Sequence, residues 1–290
     1  VFYQLLGQCQ SVGLGRKKFR FRNRLLSLDA SVIDLCASLY DWAKYQRTKG
    51  AVKLHLILDH DGYLPCFAVV TEGREHDVTV AKWLSFEPGT IVVFDRGYND
   101  YGYFGRLTDE GTFFVTRMKD GAVYEVVEER PVPQNRNVLA DQVIRLTGTN
   151  APEKCPHLLR RVEALDPKTG ETVVFLTNHL GFGATTIAAV YKDRWQIELF
   201  FKALKQNLRV KTFVGTSANA LKVQIWTALI AVLLLKYLQL KSKYAWSLSN
   251  LVALLRMNLF VYRDLWRWLD KPFTEPPPLP QPLQTAFTFG

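Results

Sequence analysis

Sulfur is scarce in this chain of 290 residues, with two methionines and four cysteines. Cys9, Cys36, Cys66 and Cys155 stand far apart and form no CxxC pair, which argues against a zinc site. A chain of this length needs no disulfide staples, so the cysteines read as free thiols of a reducing, cytoplasmic protein. No run is apolar for long enough to cross a bilayer. The longest, Ile225 to Leu235, is bounded by Gln224 and Lys236 and reads as a buried helix, so no membrane partner is expected. The first 28 residues lack an apolar stretch followed by a cleavage site. No internal repeat is visible. Acidic residues are also short, 27 against 37 Lys and Arg, leaving a net charge of +10. That excess favours a polyanionic partner such as nucleic acid, although a basic enzyme without one has the same balance. Hydrophobic residues at 48% exclude a disordered tail. The chain starts at Val1 rather than Met, and reads as a fragment that lacks an N-terminal domain.

What is present is organised. Residues 15–24, GRKKFRFRNR, interleave cations with Phe and read equally as a phosphate grip or a solvated face. LLSLDASVI (25–33) reads as a strand carrying Asp29, followed by a helical or looped stretch from Cys36 to Trp42. AVKLHLILD (51–59) and YLPCFAVVT (63–71) read as strands joined by a His60-Asp61-Gly62 turn, because Asp-Gly tolerates positive φ. Residues 77–85 look helical. His76-Asp77 before them reads equally as a polar loop or part of a site. GTIVVFD (89–95) is a fully apolar run ending in Asp95, as in a strand buried on both faces. A helix over 99–109 and a strand over 112–118 follow. Turn residues and short β-prone pieces then dominate residues 120–180, a β-rich insertion. A long helix is expected over 185–208, then helices over 218–240 and 247–269, then a Pro-rich extended tail.

Asp29 and Asp95 each read, taken alone, as a residue that begins a turn. On neighbouring parallel strands they would stand roughly 5 Å apart, where one carboxyl stays protonated unless a cation separates them. The long helix changes the weighing. Tyr191, Arg194, Glu198 and Lys205 fall within about 60° of one another at about 100° per residue. Ile197, Phe200, Phe201 and Leu204 supply an apolar face beside them. A merely solvated stripe fits poorly when it includes a Tyr and borders that apolar face.

Tyr191-x2-Arg194-x3-Glu198-x6-Lys205 matches the Y-R-E-K motif of a large group of bacterial insertion-sequence transposases in the Asp-Asp-Glu superfamily. LLSLDASVIDL around Asp29 and VVFDRGYNDY around Asp95 resemble that family's two Asp regions. The resemblance covers roughly residues 20–240. It implies an α/β fold: an RNase H-like mixed sheet flanked by helices, with the β-rich insertion before the last catalytic helix. The chain then divides into a remnant of a basic DNA-binding region (1–20), a first core part (21–119), the insertion (120–180), a second core part with the catalytic helix (181–215), a helical region (216–270) and a tail (271–290). Asp29, Asp95 and Glu198 are implied as catalytic residues and ligands of two Mg²⁺ or Mn²⁺ ions, with Asp29 bridging both. Arg194 and Lys205 would hold DNA phosphates, Tyr191 would donate to one, and Arg96 is a further phosphate contact. The implied partners are double-stranded DNA, as transposon ends and target, and a second copy of the chain in a synaptic dimer. In some relatives cleavage passes through a hairpin with a flipped base stacked on an aromatic. This chain has no Trp between Trp83 and Trp195, and Tyr124 is the candidate there. The alternative function is a truncated or domesticated relative that binds DNA without transposing it.

Overall fold

The apolar runs assemble into one ten-stranded sheet in the computed structural model, which describes residues 1–12, 18–36, 44–46, 49–134, 136–207 and 215–273. β1 (Leu25–Cys36) pairs antiparallel with β3 (Lys49–Asp59), which pairs antiparallel with β4 (Leu64–Glu72). Gly62 and Tyr63 take positive φ, 77° and 53°, at the turn between β3 and β4. β2 (Lys44–Gln46) also lies against β3. β5 (Ile91–Val93) pairs parallel with β1, and β6 (Phe113–Arg117) parallel with β5. The order β4-β3-β1-β5-β6, three strands antiparallel and then two parallel to the first, is the RNase H-like arrangement that the resemblance implied.

The β-rich segment is not a separate layer. β7 (Tyr124–Glu129), β8 (Val138–Leu146), β9 (Leu159–Leu165) and β10 (Thr172–Thr177) continue the same sheet, because β10 pairs antiparallel with β6. A bidentate Arg160–Asp141 pair, at 2.7 and 2.6 Å, joins β9 to β8 with both side chains buried. Arg160 also donates to the carbonyls of Leu180 and Phe182, which fixes the loop entering α5 (Ala184–Asp193).

Alternation along β1 decides what each face touches. Leu26 and Leu28 join a cluster of Phe94, Phe104, Phe114 and Leu107 beneath α3 (Tyr101–Asp109). On the opposite face Leu25 meets Ile187 and Val190 of α5, whereas Ile33 and Leu35 meet Ile197, Phe200, Phe201 and Leu204 of α6 (Trp195–Asn207). Each such buried side chain contributes roughly 1.5–3 kcal/mol. Between these apolar ends the same face carries only Ser27, Asp29 and Ser31. The sheet therefore leaves a polar window in the middle of β1, roofed by the junction of two helices.

That junction departs from expectation, since the helix over 185–208 is not continuous. Arg194 separates α5 from α6, and its N–H reaches back three residues to the Tyr191 carbonyl at 3.1 Å, a tightened turn. Both Asp193 and Arg194 are drawn toward the sheet by tertiary partners described below. The last expected helix is also two helices, α8 (Leu248–Met257) and α9 (Leu265–Asp270), because Asp264 caps a new start by accepting from the Arg267 N–H at 2.8 Å. Residues 77–85 give only a short α2 (Asp77–Ala81), and α4 (Ala151–Lys154) is one turn.

Near the N-terminus, α1 (Phe2–Ser11) buries Phe2, Leu6 and Cys9 against α7 (Ala218–Lys241), so these residues serve packing and carry no cation. α7 is long and apolar enough to cross a membrane by length and composition alone. Its Leu221, Ile225, Leu229, Val232 and Leu233 are buried in the cluster with α6 and β3. Cys9, Cys66 and Cys155 are free thiols. Residues 37–42 of the expected Cys36–Trp42 stretch, residues 15–17 of the basic stretch and the Pro-rich run lie outside the described residues.

Candidate active site

The last parallel pair between β1 and β5 is Ser27 with Val93. Two residues further along each chain stand Asp29 and Asp95, so the register places them side by side where β5 ends and β1 runs on to Cys36. Asp29 therefore lies within its strand rather than at its end. Asp95 caps a 3-10 turn, Arg96–Tyr98, accepting from the Gly97 N–H at 2.8 Å. Glu198 arrives from the first turn of α6.

One guanidinium connects the two sides. Arg194 Nη1 donates to Asp29 Oδ2 at 3.1 Å and Nη2 donates to Glu198 Oε1 at 2.5 Å. Its ring of neighbours includes Tyr191, whose centroid is 5.6 Å away. Burial works against the Arg194 charge, but Asp29, Tyr191 and Glu198 more than offset it and hold the group above its ordinary value. Burial pushes the Asp29 carboxyl up to about 6; Arg194 and the Ala30 N–H pull it down, and Asp95 and Glu198 push it further up. The three carboxylates carry more negative charge than Arg194 returns.

The other expected DNA contacts are dispersed. Lys205 Nζ donates to the Val32 carbonyl at 2.7 Å, further along β1 from Asp29. Tyr191 packs on Phe175, and burial pushes its phenol up. Arg96 is exposed and pairs with Asp120 at 3.2 Å. Tyr124 lies on β7, with the Arg161 guanidinium 5.8 Å from its ring. Asp77 is engaged by Lys53 at 2.9 Å. In the basic stretch Phe19 and Phe21, partly buried, stack on each other against the core, and Lys18 and Arg24 pair with Asp193 and Asp59, while Arg20 and Arg22 stay exposed.

Several residues of the neighbourhood were not singled out from sequence. Ser27 Oγ lies 2.7 Å from His60 Nε2, and His60 Nδ1 lies 2.7 Å from Asp193 Oδ2. Asp193 also accepts from Lys18 at 2.5 Å and from the Tyr63 hydroxyl at 3.2 Å. Burial raises the Asp193 carboxyl, but the His60 and Lys18 bonds win and hold it below the usual carboxylate range. Ser27 is fully buried, so this Ser-His-Asp chain is an anchor and not a nucleophile. It fastens β1, the β3–β4 turn and the basic stretch to the residue before Arg194. Asp193→Ala is expected to cost about 3–5 kcal/mol, because it leaves buried donors without their anion. Urea unfolding reads this directly, and a loss below about 1 kcal/mol would contradict the anchor. On the Asp95 side, Thr116 Oγ1 donates to the Asp95 carbonyl at 3.2 Å and lies 3.0 Å from Asn99 Oδ1. Only Asn99, inside the VVFDRGYNDY run, carried any sequence signal.

Among the described residues no three His, Cys, Asp or Glu side chains stand close enough together to form a ready metal cage. The donor set nevertheless suits an oxygen-loving divalent ion: three carboxylates, one held at a raised pKa by burial with its like-charged neighbours adding to it, and Arg194 between two of them.

Residues 20–234 match the family model described as the transposase DDE domain. A protein of Sinorhizobium fredii named as a transposase is 32% identical over 248 residues, 84% of this chain and 69% of that one. A protein of Geobacillus stearothermophilus named as a transposase for an insertion sequence element is 30% identical over 229 residues, 79% of this chain and 60% of that one. The chain thus spans 60% to 69% of the length of these relatives. A solved piggyBac transposase synaptic complex with hairpin DNA aligns with 88% of this chain and 55% of that chain, at TM-score 0.46 and 14% identity.

Proposed function

The chain belongs to the transposase DDE-domain family, and from that premise we propose that Asp29, Asp95 and Glu198 form the catalytic centre of a DNA-cutting and strand-joining enzyme. The observation that carries this is the register of β1 and β5, which sets Asp29 beside Asp95, together with Arg194, which ties Asp29 to Glu198. The same three carboxylates would hold Mg²⁺ or Mn²⁺, and bound ions would supply an activated water and neutralise charge at phosphorus.

The protein's own part is positioning. Asp29 is held by the Ala30 N–H and by Arg194, and Asp95 by the Gly97 N–H, so both carboxylates are oriented before any ligand arrives. Lys205 sits beside β1 beyond Asp29 and serves as a backbone-phosphate contact, together with exposed Arg20, Arg22 and Arg96. Arg194 takes a different part from the one its motif position implied: it is the counter-charge of the carboxylates. Double-stranded DNA is the substrate that the net charge of +10 favours, and two copies of the chain would hold two transposon ends.

The test is nicking of a labelled duplex carrying the terminal repeat that flanks the reading frame, with Mg²⁺ or Mn²⁺. Asp95→Ala should lose on the order of a thousandfold or more in rate while keeping its fold. Equal nicking by both proteins would sink the assignment. Binding by the natural protein with no cleavage at all would favour a DNA-binding relative.

A further inference from the structure

Two consecutive residues tie the helix junction to β1. Asp193 ends α5, and Arg194 is the single residue before α6. On a regular helix consecutive side chains diverge by about 100°. Here both run down to the same face of one strand. Arg194 reaches Asp29 directly, and Asp193 reaches Ser27 through His60. Ser27 and Asp29 stand two residues apart, about 7 Å along β1. The junction is thus pinned at two points.

Packing alone does not set this joint. Val190 anchors α5 and Ile197 anchors α6, both fully buried. Between them no apolar side chain is fully buried, and Trp195 is 56% exposed. Glu198 follows Ile197 directly, so the angle of the joint decides where its carboxylate points. Both side-chain bonds of Arg194 end on carboxylates that a metal ion would pull on. Asp193 and His60 bond to neither, so they hold the joint independently of what the site binds.

The second pin is the more deeply buried. The side chains of Asp193 and His60 are 1% and 6% exposed. A carboxylate only accepts, so His60 Nδ1 carries the proton of its bond to Asp193 and leaves Nε2 to Ser27 Oγ. The His60 N–H also donates to the Leu25 carbonyl at 3.0 Å. Tyr63 adds a third contact. Its hydroxyl donates to Asp193 at 3.2 Å, while its ring packs against the cluster that holds Ile197 and Phe200 of α6. Tyr63 does this at a φ of 53°, which a bulky side chain rarely adopts. Such strain persists only where surrounding contacts hold it, and here they converge on Asp193.

We infer that Asp193, His60 and Tyr63 are positioning residues for the catalytic centre, fixing the joint between α5 and α6 and so the aim of Arg194 and Glu198 at Asp29. The role rests on the proposed function. It differs from anchoring alone because metal affinity and rate should fall in protein that is still fully folded.

The experiment uses the full chain at a temperature where every variant stays folded. Asp193→Ala loses too much stability to serve, so the probes are His60→Ala, His60→Asn and Tyr63→Phe. Mn²⁺ affinity is read from the electron paramagnetic resonance of free Mn²⁺, and cleavage with the labelled duplex at saturating DNA. His60→Ala should lose about 10- to 100-fold in Mn²⁺ affinity and in rate. His60→Asn, whose amide replaces the Nδ1–H donor, should recover part of both. Tyr63→Phe should lose about 3- to 10-fold. A cavity of about 30 Å³ borders His60 and Asp193. His60→Ala therefore leaves room for free imidazole, which should restore the rate at matched free Mn²⁺. Leu251→Ala, a truncation in the α8 cluster, gives a comparable stability loss and should bind Mn²⁺ and cut as the natural protein does. Natural affinity and rate in His60→Ala would overturn the inference and leave the network as an anchor only. Equal losses in Leu251→Ala would overturn it as well. If the natural protein binds Mn²⁺ but does not cut, the catalytic reading falls and the affinities still decide positioning. If the natural protein binds no Mn²⁺, both fall.

Discussion

Asp29→Asn is expected to abolish cleavage and, in the absence of divalent ions, to make the protein more stable. The two effects share one cause. Asp29 is largely buried, with 16% of its side chain exposed, and burial with Asp95 and Glu198 nearby raises its carboxyl to about 6 from an ordinary 3.8. The folded protein therefore binds this proton more tightly than the unfolded chain does. Between about pH 4 and pH 6 the folded state holds more protons, so this residue's contribution to stability falls as pH rises through that window. At pH 7 the whole penalty is present, about 1–3 kcal/mol by the linkage of pKa to free energy. Asn keeps the shape and an oxygen for Arg194 but has no charge to bury. In EDTA at pH 7 the variant should melt several degrees higher, at roughly 2–4 °C per kcal/mol for a chain of this size. Below pH 4 the two proteins should melt alike. Adding Mg²⁺ should raise the natural protein and leave the variant nearly unmoved, because ligand binding stabilises only the state that binds. Cleavage by the variant should fall on the order of a thousandfold or more. Calorimetry at pH 4 and pH 7, with EDTA or Mg²⁺, reads all of this. A variant that melts lower than the natural protein in EDTA at pH 7 would show that the carboxylate is not under strain from its neighbours.

Local pattern carried much of this site. The apolar run ending at Asp95, the strand around Asp29 and the Asp61-Gly62 turn are all written in residues adjacent in sequence, and adjacency is what periodicity reports. Sheet membership is different. Strands β7 to β10 read as a separate β-rich unit because composition changes at residue 120, yet β10 pairs with β6 across about 60 residues of chain. The helix break at Arg194 was also hidden. A helical wheel assumes one axis, and the break follows from ion pairs that reach Asp29, 165 residues away, and His60, 133 residues away. His60 itself read as part of a turn, since nothing near it reveals Ser27 or Asp193.

Arg194 gives the sharpest choice between two readings of the same residue. If it mainly grips DNA, as its place in the motif implies, Arg194→Ala should barely change the stability of the free protein, and its salt slope for DNA should fall by about one. The geometry predicts otherwise. Arg194 is 13% exposed and is shared by Asp29 at 3.1 Å and Glu198 at 2.5 Å. Its removal leaves two carboxylates facing each other and drives the Asp29 carboxyl still higher than about 6. Metal-free stability at pH 7 should drop by about 2–4 kcal/mol, less than for a fully buried pair because Glu198 keeps a third of its side chain in water. Divalent ions should then matter more, since they take over as the counter-charge. The rise in melting temperature on adding Mg²⁺ should be larger in Arg194→Ala than in the natural protein, by several degrees. Cleavage should fall by about 100-fold even at saturating Mg²⁺, because Glu198 loses the bond that orients it. Melting curves with EDTA and with Mg²⁺ decide the matter before any DNA is added. Equal Mg²⁺ shifts in the two proteins, with little metal-free loss, would return Arg194 to the phosphate-binding role. A larger shift in the variant means that the guanidinium and the metal ions answer the same excess of negative charge.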